Sequence, residues 1–296
     1  MIIGNMVKAK PMCYLQYMPK QRGGRHYNLT TFKTLCSPEG AHGKLMAMKS
    51  LKMPDDADDY VHVLQSKMKD TELVVKVQEK GKMLSRELEV QERLAGQPNI
   101  VQFVCSFECN FDRIVWNKPV DVPRTFCDNT GDPLTLIIME YINSDLSEFL
   151  ETGGYSKDVL ASILKQAGLC LFNNNVNFGI SHNDLNRGNL LLDIGEPKEI
   201  TYTYGAKETK VNTHGYEFIL VDFQRSSFLG ANRAKERFEY AVDEISLLYD
   251  VVSRWIKDTE IKASVKMLME QVMAAKSKAA LFKMLSNAES YLTCCA

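Results

Sequence analysis

The sequence lacks an excess of charge of either sign and lacks an apolar run long enough to cross a bilayer. Its 296 residues include 36 Lys and Arg against 37 Asp and Glu, so the formal net charge is −1. This balance gives no bulk electrostatic reason to bind nucleic acid, and we expect no nucleic-acid partner. The apolar run at residues 134–139 is far shorter than the roughly 20 residues of a membrane-spanning helix. We therefore expect no membrane span.

The sequence also lacks the short, paired cysteine spacings that close a zinc site. None of its eight cysteines forms a C-x-x-C pair. A chain of this length buries enough surface to fold without disulfides. We therefore expect the cysteines to be reduced and buried, where they pack like small hydrophobic residues. The N-terminus has no apolar segment typical of a secretory signal. These absences predict an intracellular protein that is not secreted.

The composition, with 45% hydrophobic and 25% charged residues, excludes a disordered chain. The apolar patterns predict strands in the first half of the chain and mainly helices in the second half. Strands are predicted at residues 29–35, 44–51, 72–78, 100–107, 134–141, 189–194 and 218–223. Helices are predicted at residues 82–95, after 142, at 157–172 and from 238 onward, with a polar hairpin within 195–217. This order predicts an α+β fold with an N-terminal sheet lobe.

The strongest chemical signal is HNDLNRGN at residues 182–189, followed by an apolar run. Asp184 and Asn189 stand five residues apart in a predicted loop, and Asp222-Phe223 ends a later apolar strand. Phosphoryl transfer needs a carboxylate to orient the attacking hydroxyl and oxygen ligands for Mg²⁺ on the phosphates. Either motif alone is also common in ordinary Asx turns. Their order and context favour a site for phosphoryl transfer.

Taken in order, these motifs resemble the protein kinase-like superfamily. The family's H-R-D-L-x-x-x-x-N loop corresponds to HNDLNRGN, and its D-F-G corresponds to Asp222-Phe223-Gln224. The resemblance covers about residues 72–255 and implies a bilobal fold, with an antiparallel sheet and one main helix in the N-lobe and a mainly helical C-lobe. The expected ranges are an extension at 1–28, an N-lobe at 29–141 with inserts 52–71 and 108–133, and a C-lobe at 142–296 with insert 195–217.

The resemblance implies ATP and Mg²⁺ as cofactors and assigns roles around the transferred phosphate. Asp184 would position the substrate hydroxyl, and Asn189 and Asp222 would hold Mg²⁺. Lys76, fixed by Glu87, would neutralise charge on the α- and β-phosphates.

The resemblance also implies positions on the nucleotide side and within the C-lobe. Glu140 and Ile142 would belong to the hinge, and Asp145 would lie near the ribose. A turn containing Gly40 and Gly43 would cover the phosphates. Asp243 would be the buried acid of the helix known in the family as the F-helix.

Two of these positions have rivals within the sequence. Lys76 stands eleven residues before Glu87, whereas Lys49 stands 38 before it, and the shorter spacing suits a strand and the helix that follows it. We therefore favour Lys76. The turn at Gly40 and Gly43 matches the family's glycine pattern poorly, and residues 23–24 offer an alternative.

Several departures from the family bear on regulation and substrate. Asn183 replaces the Arg that normally receives an activation-loop phosphate, so that switch is expected to be missing. Asn186 replaces a Lys, and the neighbouring Arg187 is a candidate to supply the charge. The segment after Asp222 is short and has no A-P-E motif.

The resemblance therefore implies a compact Ser/Thr protein kinase acting on protein substrates, similar to those of large DNA viruses and without control by activation-loop phosphorylation. Such an origin would place it in the host cytoplasm or the virion. A pseudokinase scaffold and a small-molecule kinase of the same fold remain alternatives. The sequence predicts no oligomeric state.

Overall fold

The computed structural model describes residues 12–13, 21–22, 25–26, 36, 44–52, 61–68, 71–79, 81–112, 119–127, 131–230 and 233–293. The predicted strand at 29–35 and the glycines Gly40 and Gly43, with their rivals at 23–24, lie outside these residues.

Strands dominate the first half of the described chain and helices the second half. The strands are β1 Met12–Cys13, β2 Gln21–Arg22, β3 Arg25–His26, β4 Leu45–Lys52, β5 Val61–Met68, β6 Thr71–Gln78, β7 Phe103–Phe111, β8 Arg124–Thr125, β9 Asp132–Glu140, β10 Ser144–Asp145, β11 Ile180–Ser181, β12 Leu190–Ile194, β13 Glu199–Tyr204, β14 Lys207–Asn212, β15 Tyr216–Leu220 and β16 Ser227–Phe228. The α-helices are α1 Lys82–Leu94, α2 Leu146–Thr152, α3 Lys157–Phe172, α4 Ala234–Trp255, α5 Thr259–Ala274, α6 Lys278–Ser286 and α7 Ala288–Thr293.

The chain divides into two compact units. The first comprises Met1–Lys20, Tyr27–Gly81 and Gln102–Tyr141, and the second comprises Gln21–His26, Lys82–Val101 and Ile142–Ala296. Helix α1, which the sequence analysis assigned to the N-lobe, thus belongs to the second unit. The expected domain ranges remain predictions.

The first unit is built on one antiparallel sheet with the strand order β1-β7-β9-β6-β5-β4-β8. Its central strands β6 and β9 are rich in Val, Ile and Leu and are buried along most of their length, as expected of apolar runs at the centre of a sheet. The prediction of an insert at 52–71 is wrong for residues 61–68, because these residues form strand β5 of the sheet. The polar His62 and Ser66 are buried there, so the strand does not show an apolar pattern.

The same unit corrects the expectation of reduced cysteines. Cys109 near the end of β7 forms a disulfide with Cys127, which follows β8. Their Cα atoms lie 5.2 Å apart, a normal separation for such a bond. Cys36 and Cys105 are buried and lie outside this disulfide, as does the buried Cys170 in the second unit. The expectation fails for this pair because the sequence does not show that residue 127 returns to β7.

The second unit packs its helices around α3, in which every residue from 160 to 172 is buried. Ser156 caps the start of α3 by accepting a hydrogen bond from the Val159 backbone amide. A small sheet, β10-β12-β15, contributes to the same core. The hairpin predicted within 195–217 is confirmed as β13 and β14. Its Tyr202 and Val211 are buried in the core, so the hairpin is part of the unit's packing.

The predicted fold class is confirmed: an N-terminal antiparallel sheet precedes a mainly helical C-terminal part, which is consistent with a protein kinase-like fold. Within the ranges that the structure describes, no helix combines the length and the hydropathy needed to cross a membrane.

Candidate active site

The loop at residues 182–189 lies between β11 and β12 in the second unit. A π-helical turn, Asn173–Phe178, leads into it and ends at Gly179, whose φ of 65° is left-handed. A Cβ at this position would stand 2.5 Å from the Arg237 guanidinium, and the left-handed φ itself favours glycine. β11 pairs with β16. The loop therefore begins from a fixed point.

Asp184 and Asn189 are joined directly within this loop. The Asn189 side-chain amide donates to the Asp184 carbonyl oxygen at 2.8 Å and to Asp184 Oδ2 at 3.1 Å. The Asp184 side chain remains 24% exposed. Asn189 is buried, and its Oδ1 has no hydrogen-bond partner among the residues that the structure describes. The loop thus presents an accessible carboxylate beside an available amide oxygen.

Asp222 reaches the same end of the β12–β15 pair. Leu190 stands opposite Leu220, and the Val221 amide donates to the Asn189 carbonyl oxygen at 3.1 Å. Asp222 follows directly, with a left-handed φ of 62°, which is uncommon outside glycine. Its Oδ1 accepts a hydrogen bond from the Gln224 amide at 3.4 Å. The pairing of β12 with β15 therefore places Asn189 beside Val221, the residue before Asp222.

The oxygen donors of Asn189 and Asp222 fit the preference of Mg²⁺ for hard oxygen ligands. In the described part of the chain, no group of three or more His, Cys, Asp or Glu side chains is placed to hold a metal ion. Mg²⁺ ordinarily needs only one or two protein carboxylates when phosphates and water complete its shell. The donor set is therefore adequate for Mg²⁺ carried by a nucleotide and unsuited to a metal caged by protein alone.

His182 supports the loop as a neutral ring. Its Nε2 donates to the Val221 carbonyl oxygen at 2.9 Å, and its Nδ1 accepts from the Asp184 amide at 3.3 Å. The Phe223 ring packs edge-on against it, with centroids 5.0 Å apart. Burial lowers the pKa of His182 below its ordinary value. The ring therefore fixes the backbone on both sides of the site, as a brace rather than a proton carrier.

Glu244 of α4 is a residue that the sequence analysis missed. Its Oε1 accepts from the Asn183 amide at 2.8 Å and from Ser181 Oγ at 2.9 Å, and its Oε2 accepts from Asn175 Nδ2 at 2.7 Å. Asp243 is exposed, so the prediction of that residue as the buried acid is wrong. The apolar periodicity of α4 buries the face that holds Glu244, together with Ala241, Ile245 and Leu248. That periodicity was the available signal.

Asn183, where the family has Arg, binds the segment that follows Asp222. Its side-chain amide donates to the Arg225 carbonyl oxygen at 3.2 Å and to Ser227 Oγ at 2.9 Å. Its Oδ1 accepts from Ser181 Oγ at 2.7 Å. The segment is thus attached to the loop by hydrogen bonds that need no phosphate.

Among the residues that the structure describes, the cation paired with Asp184 comes from outside the loop. Arg225 Nη1 lies 3.7 Å from Asp184 Oδ1. Arg187, the residue expected to supply this charge, instead forms a two-pronged pair with Glu151, at 3.1 and 3.3 Å. Arg187 is thus directed at Glu151 in this structure, and its supply of charge to the site stays a prediction.

The positions expected on the nucleotide side are distributed over both units. In the first unit, the Glu140 carboxylate accepts a hydrogen bond from the Gln102 backbone amide at 2.7 Å. Lys76 in β6 is only 3% exposed, whereas Lys49 in β4 is exposed. A buried ammonium needs compensation that an exposed one does not. This difference is in keeping with the preference for Lys76.

In the second unit, Glu87 and Ile142 are buried. Asp145 caps α2, because its Oδ1 accepts from the amides of Ser147 and Glu148 at 2.7 and 3.1 Å. The pairing of Lys76 with Glu87 and the nucleotide contacts of Glu140, Ile142 and Asp145 stay predictions.

Comparison with known proteins gives a likeness to solved structures but not to a family model or a curated protein. No family model matches the chain, and no curated protein matches it. Among solved structures, the chain is similar to the PK-1 kinase of Cydia pomonella granulovirus, with 18% sequence identity and a TM-score of 0.38. The match covers 63% of this chain and 56% of that one, so the chain spans little more than half of the viral kinase. A likeness of this size establishes neither family nor function.

Proposed function

We propose that the chain is a protein kinase that transfers the γ-phosphoryl group of ATP to Ser or Thr hydroxyls of protein substrates, with Mg²⁺. One observation carries the proposal. The Asn189 amide binds both the carbonyl oxygen and the carboxylate of Asp184, in a loop whose last residue is bonded to the strand end before Asp222. Three groups that phosphoryl transfer requires are thereby held by the loop and the strand end bonded to it.

In the proposed step, the substrate hydroxyl oxygen bonds to the γ-phosphorus while the bond to the β–γ bridging oxygen breaks. ADP leaves, and the hydroxyl proton passes to the Asp184 carboxylate and then to water. The 24% exposure of Asp184 allows a substrate hydroxyl to approach it. The hydrogen bond from Asn189 to Oδ2 restricts the carboxylate to one orientation, which lowers the entropic cost of alignment.

Asn189, through Oδ1, and Asp222 are the residues that would hold Mg²⁺. The bound ion would neutralise negative charge on the phosphates. His182 supports Asp184 and Asp222, because its ring nitrogens bind the Asp184 backbone amide and the carbonyl oxygen of Val221, the residue before Asp222.

The proposal includes nucleotide contacts by Lys76, Gly40, Gly43, Glu140, Ile142 and Asp145, with Glu87 as the partner of Lys76. Burial of Lys76 supports its assignment. Asp145 Oδ2 makes no hydrogen bond among the described residues and is the atom available for a ribose hydroxyl.

The proposal also holds that activity needs no prior phosphorylation. The hydrogen bonds from Asn183 to Arg225 and Ser227 support this point. They occupy the place where the family relies on an Arg and an added phosphate. We expect phosphatase-treated protein to retain its full transfer rate.

The experiment that tests the function incubates the protein with γ-labelled ATP, Mg²⁺ and casein or histone, followed by phosphoamino-acid analysis. Asp184→Asn is the test variant, and Asp158→Asn, at an exposed position in the first turn of α3, is the matched control. We expect label on Ser and Thr for the wild-type and control proteins, with at least about a 10²-fold loss for Asp184→Asn.

Two results would contradict the proposal. Equal rates for the two variants would remove Asp184 from the chemistry. Folded wild-type protein that labels no protein would also reject it. In that case, turnover only with an added amino alcohol, aminoglycoside or sugar would identify a small-molecule kinase, and no turnover would identify a scaffold.

A further inference from the structure

The catalytic loop provides little free positive charge beside Asp184. Asn186 stands where the family pattern has Lys, and its side chain is occupied locally. It donates to the Asp184 carbonyl oxygen at 3.3 Å and accepts from the Gly188 amide at 3.0 Å. Arg187 binds the Glu151 carboxylate through both terminal nitrogens. The cation of the loop itself is therefore directed at Glu151 in this structure, and not at Asp184.

Arg225 supplies a cation at this place from the segment after Asp222. Its Nη1 is 3.7 Å from Asp184 Oδ1, and its side chain is 67% exposed. An exposed pair at this distance contributes little stability and is readily exchanged for another anion. The guanidinium therefore stands next to the proposed base with most of its donors available.

The main chain around Arg225 is held on both sides. Phe223 is fully buried against the His182 ring, and the Ser226 amide donates to the Phe223 carbonyl oxygen at 3.1 Å. The Arg225 carbonyl oxygen accepts from the Asn183 side chain. Such anchoring places the base of the Arg225 side chain at a fixed position relative to Asp184, while its tip stays in solvent.

We propose that Arg225 binds the γ-phosphoryl group during transfer and provides the charge that a loop lysine provides elsewhere in the resembling family. A guanidinium has five N–H donors in a planar fork that matches two phosphate oxygens. Charge on those oxygens is stabilised most when the donors are already in place. This inference rests on the proposed function and adds a catalytic residue to it.

The test compares Arg225→Gln and Arg225→Lys with Arg254→Gln as the control, since Arg254 is an equally exposed arginine paired with Asp250 on α4. Label transfer from ATP to casein is measured at saturating substrate. We expect kcat of Arg225→Gln to fall about 10²- to 10³-fold, Arg225→Lys to lie between it and the wild type, and Arg254→Gln to stay within about threefold of the wild type.

Binding provides a second readout. Calorimetry with ADP alone and with ADP plus aluminium fluoride and Mg²⁺ compares the nucleotide with a mimic of the transferring group. We expect Arg225→Gln to bind ADP like the wild type and to lose at least about tenfold in affinity for the fluoride complex.

The outcomes separate the inference from the function. An active wild-type enzyme whose Arg225→Gln variant retains kcat and fluoride-complex affinity would reject the inference alone. Equal losses in Arg225→Gln and Arg254→Gln would also reject it, because they would indicate a general effect of charge. A wild-type protein without transfer activity would reject the proposed function and the inference with it.

Discussion

Replacing Glu244 by Gln should destabilise the second unit, because this buried carboxylate accepts from three donors. Two donors have another acceptor: Ser181 Oγ lies 2.7 Å from Asn183 Oδ1, and Asn175 Nδ2 donates to Leu171 O at 3.0 Å. The Asn183 backbone amide has no second acceptor in the described part of the chain.

The size of the effect follows from these contacts. Gln keeps the shape of Glu but removes the charge, which lowers the contribution of each retained hydrogen bond by about 1 kcal/mol. Its NH₂ group also faces at least one donor, and an unmet buried donor costs about 1–3 kcal/mol. We therefore expect the free energy of unfolding to fall by about 2–4 kcal/mol for Glu244→Gln.

Urea denaturation followed by tryptophan fluorescence measures this loss. Asp243→Asn is a sharp control, since it makes the same chemical change one residue away on an exposed face, where we expect a change within about 0.5 kcal/mol. Equal stabilities for the two variants would refute the reasoning. If the loop is the active site, Glu244→Gln should also reduce the transfer rate, because Asn183 directly precedes Asp184.

Three further effects are expected. The free energy of unfolding should fall as the pH drops below about 6.5, by up to about 1.4 kcal/mol per pH unit. The reason is that burial lowers the pKa of His182 in the folded protein, whereas the unfolded chain can take up a proton there. Urea titrations at several pH values measure this dependence. Gly168→Ala should lower the unfolding free energy by about 1–3 kcal/mol, because the new Cβ would lie 2.4 Å from Tyr249 Oη, and a urea titration measures the loss. Reduction of the Cys109–Cys127 disulfide, which spans 18 positions, should cost about 3 kcal/mol, measured with and without dithiothreitol.

Each expectation has a control that can contradict it. The pH dependence should be weaker in His182→Asn and unchanged in His214→Asn, whose ring is exposed; an unchanged profile in His182→Asn would count against the assignment. Gly81→Ala places a Cβ with no atom within 4 Å and should have little effect, so an equal loss there would exclude the steric explanation. A Cys109→Ser/Cys127→Ser double variant should not respond to reductant, and a wild-type protein that does not respond would disprove the disulfide's contribution.

The sequence predicted the elements that are rich in apolar residues. Helix α3 and strands β6 and β9 are examples, because most of their side chains are buried. β5 was missed because its buried positions include His62 and Ser66, so polar side chains disguised a strand.

The candidate site shows the same division between local and distant information. Asp184 and Asn189 share one loop, and their spacing is legible in the sequence. The roles of Glu244 and Arg225 depend on contacts across 61 and 41 positions, which no local pattern reports. The choice of Asp243 over Glu244 is a shift of one residue, which on a helix turns a side chain by about 100°. The disulfide was missed because cysteine pairing depends on how the chain folds back.

Asn99, buried with a left-handed φ of 61°, has a consequence for the order in which the chain folds. Its side chain donates to Phe218 O at 2.7 Å and to Gln166 Oε1 at 3.1 Å, and it accepts from the Tyr202 hydroxyl. These partners lie 67 to 119 positions later in the chain. During synthesis, Asn99 leaves the ribosome long before any of them exists. The second unit therefore completes its core only after residue 218 has emerged, and contacts of such long range make this step slow.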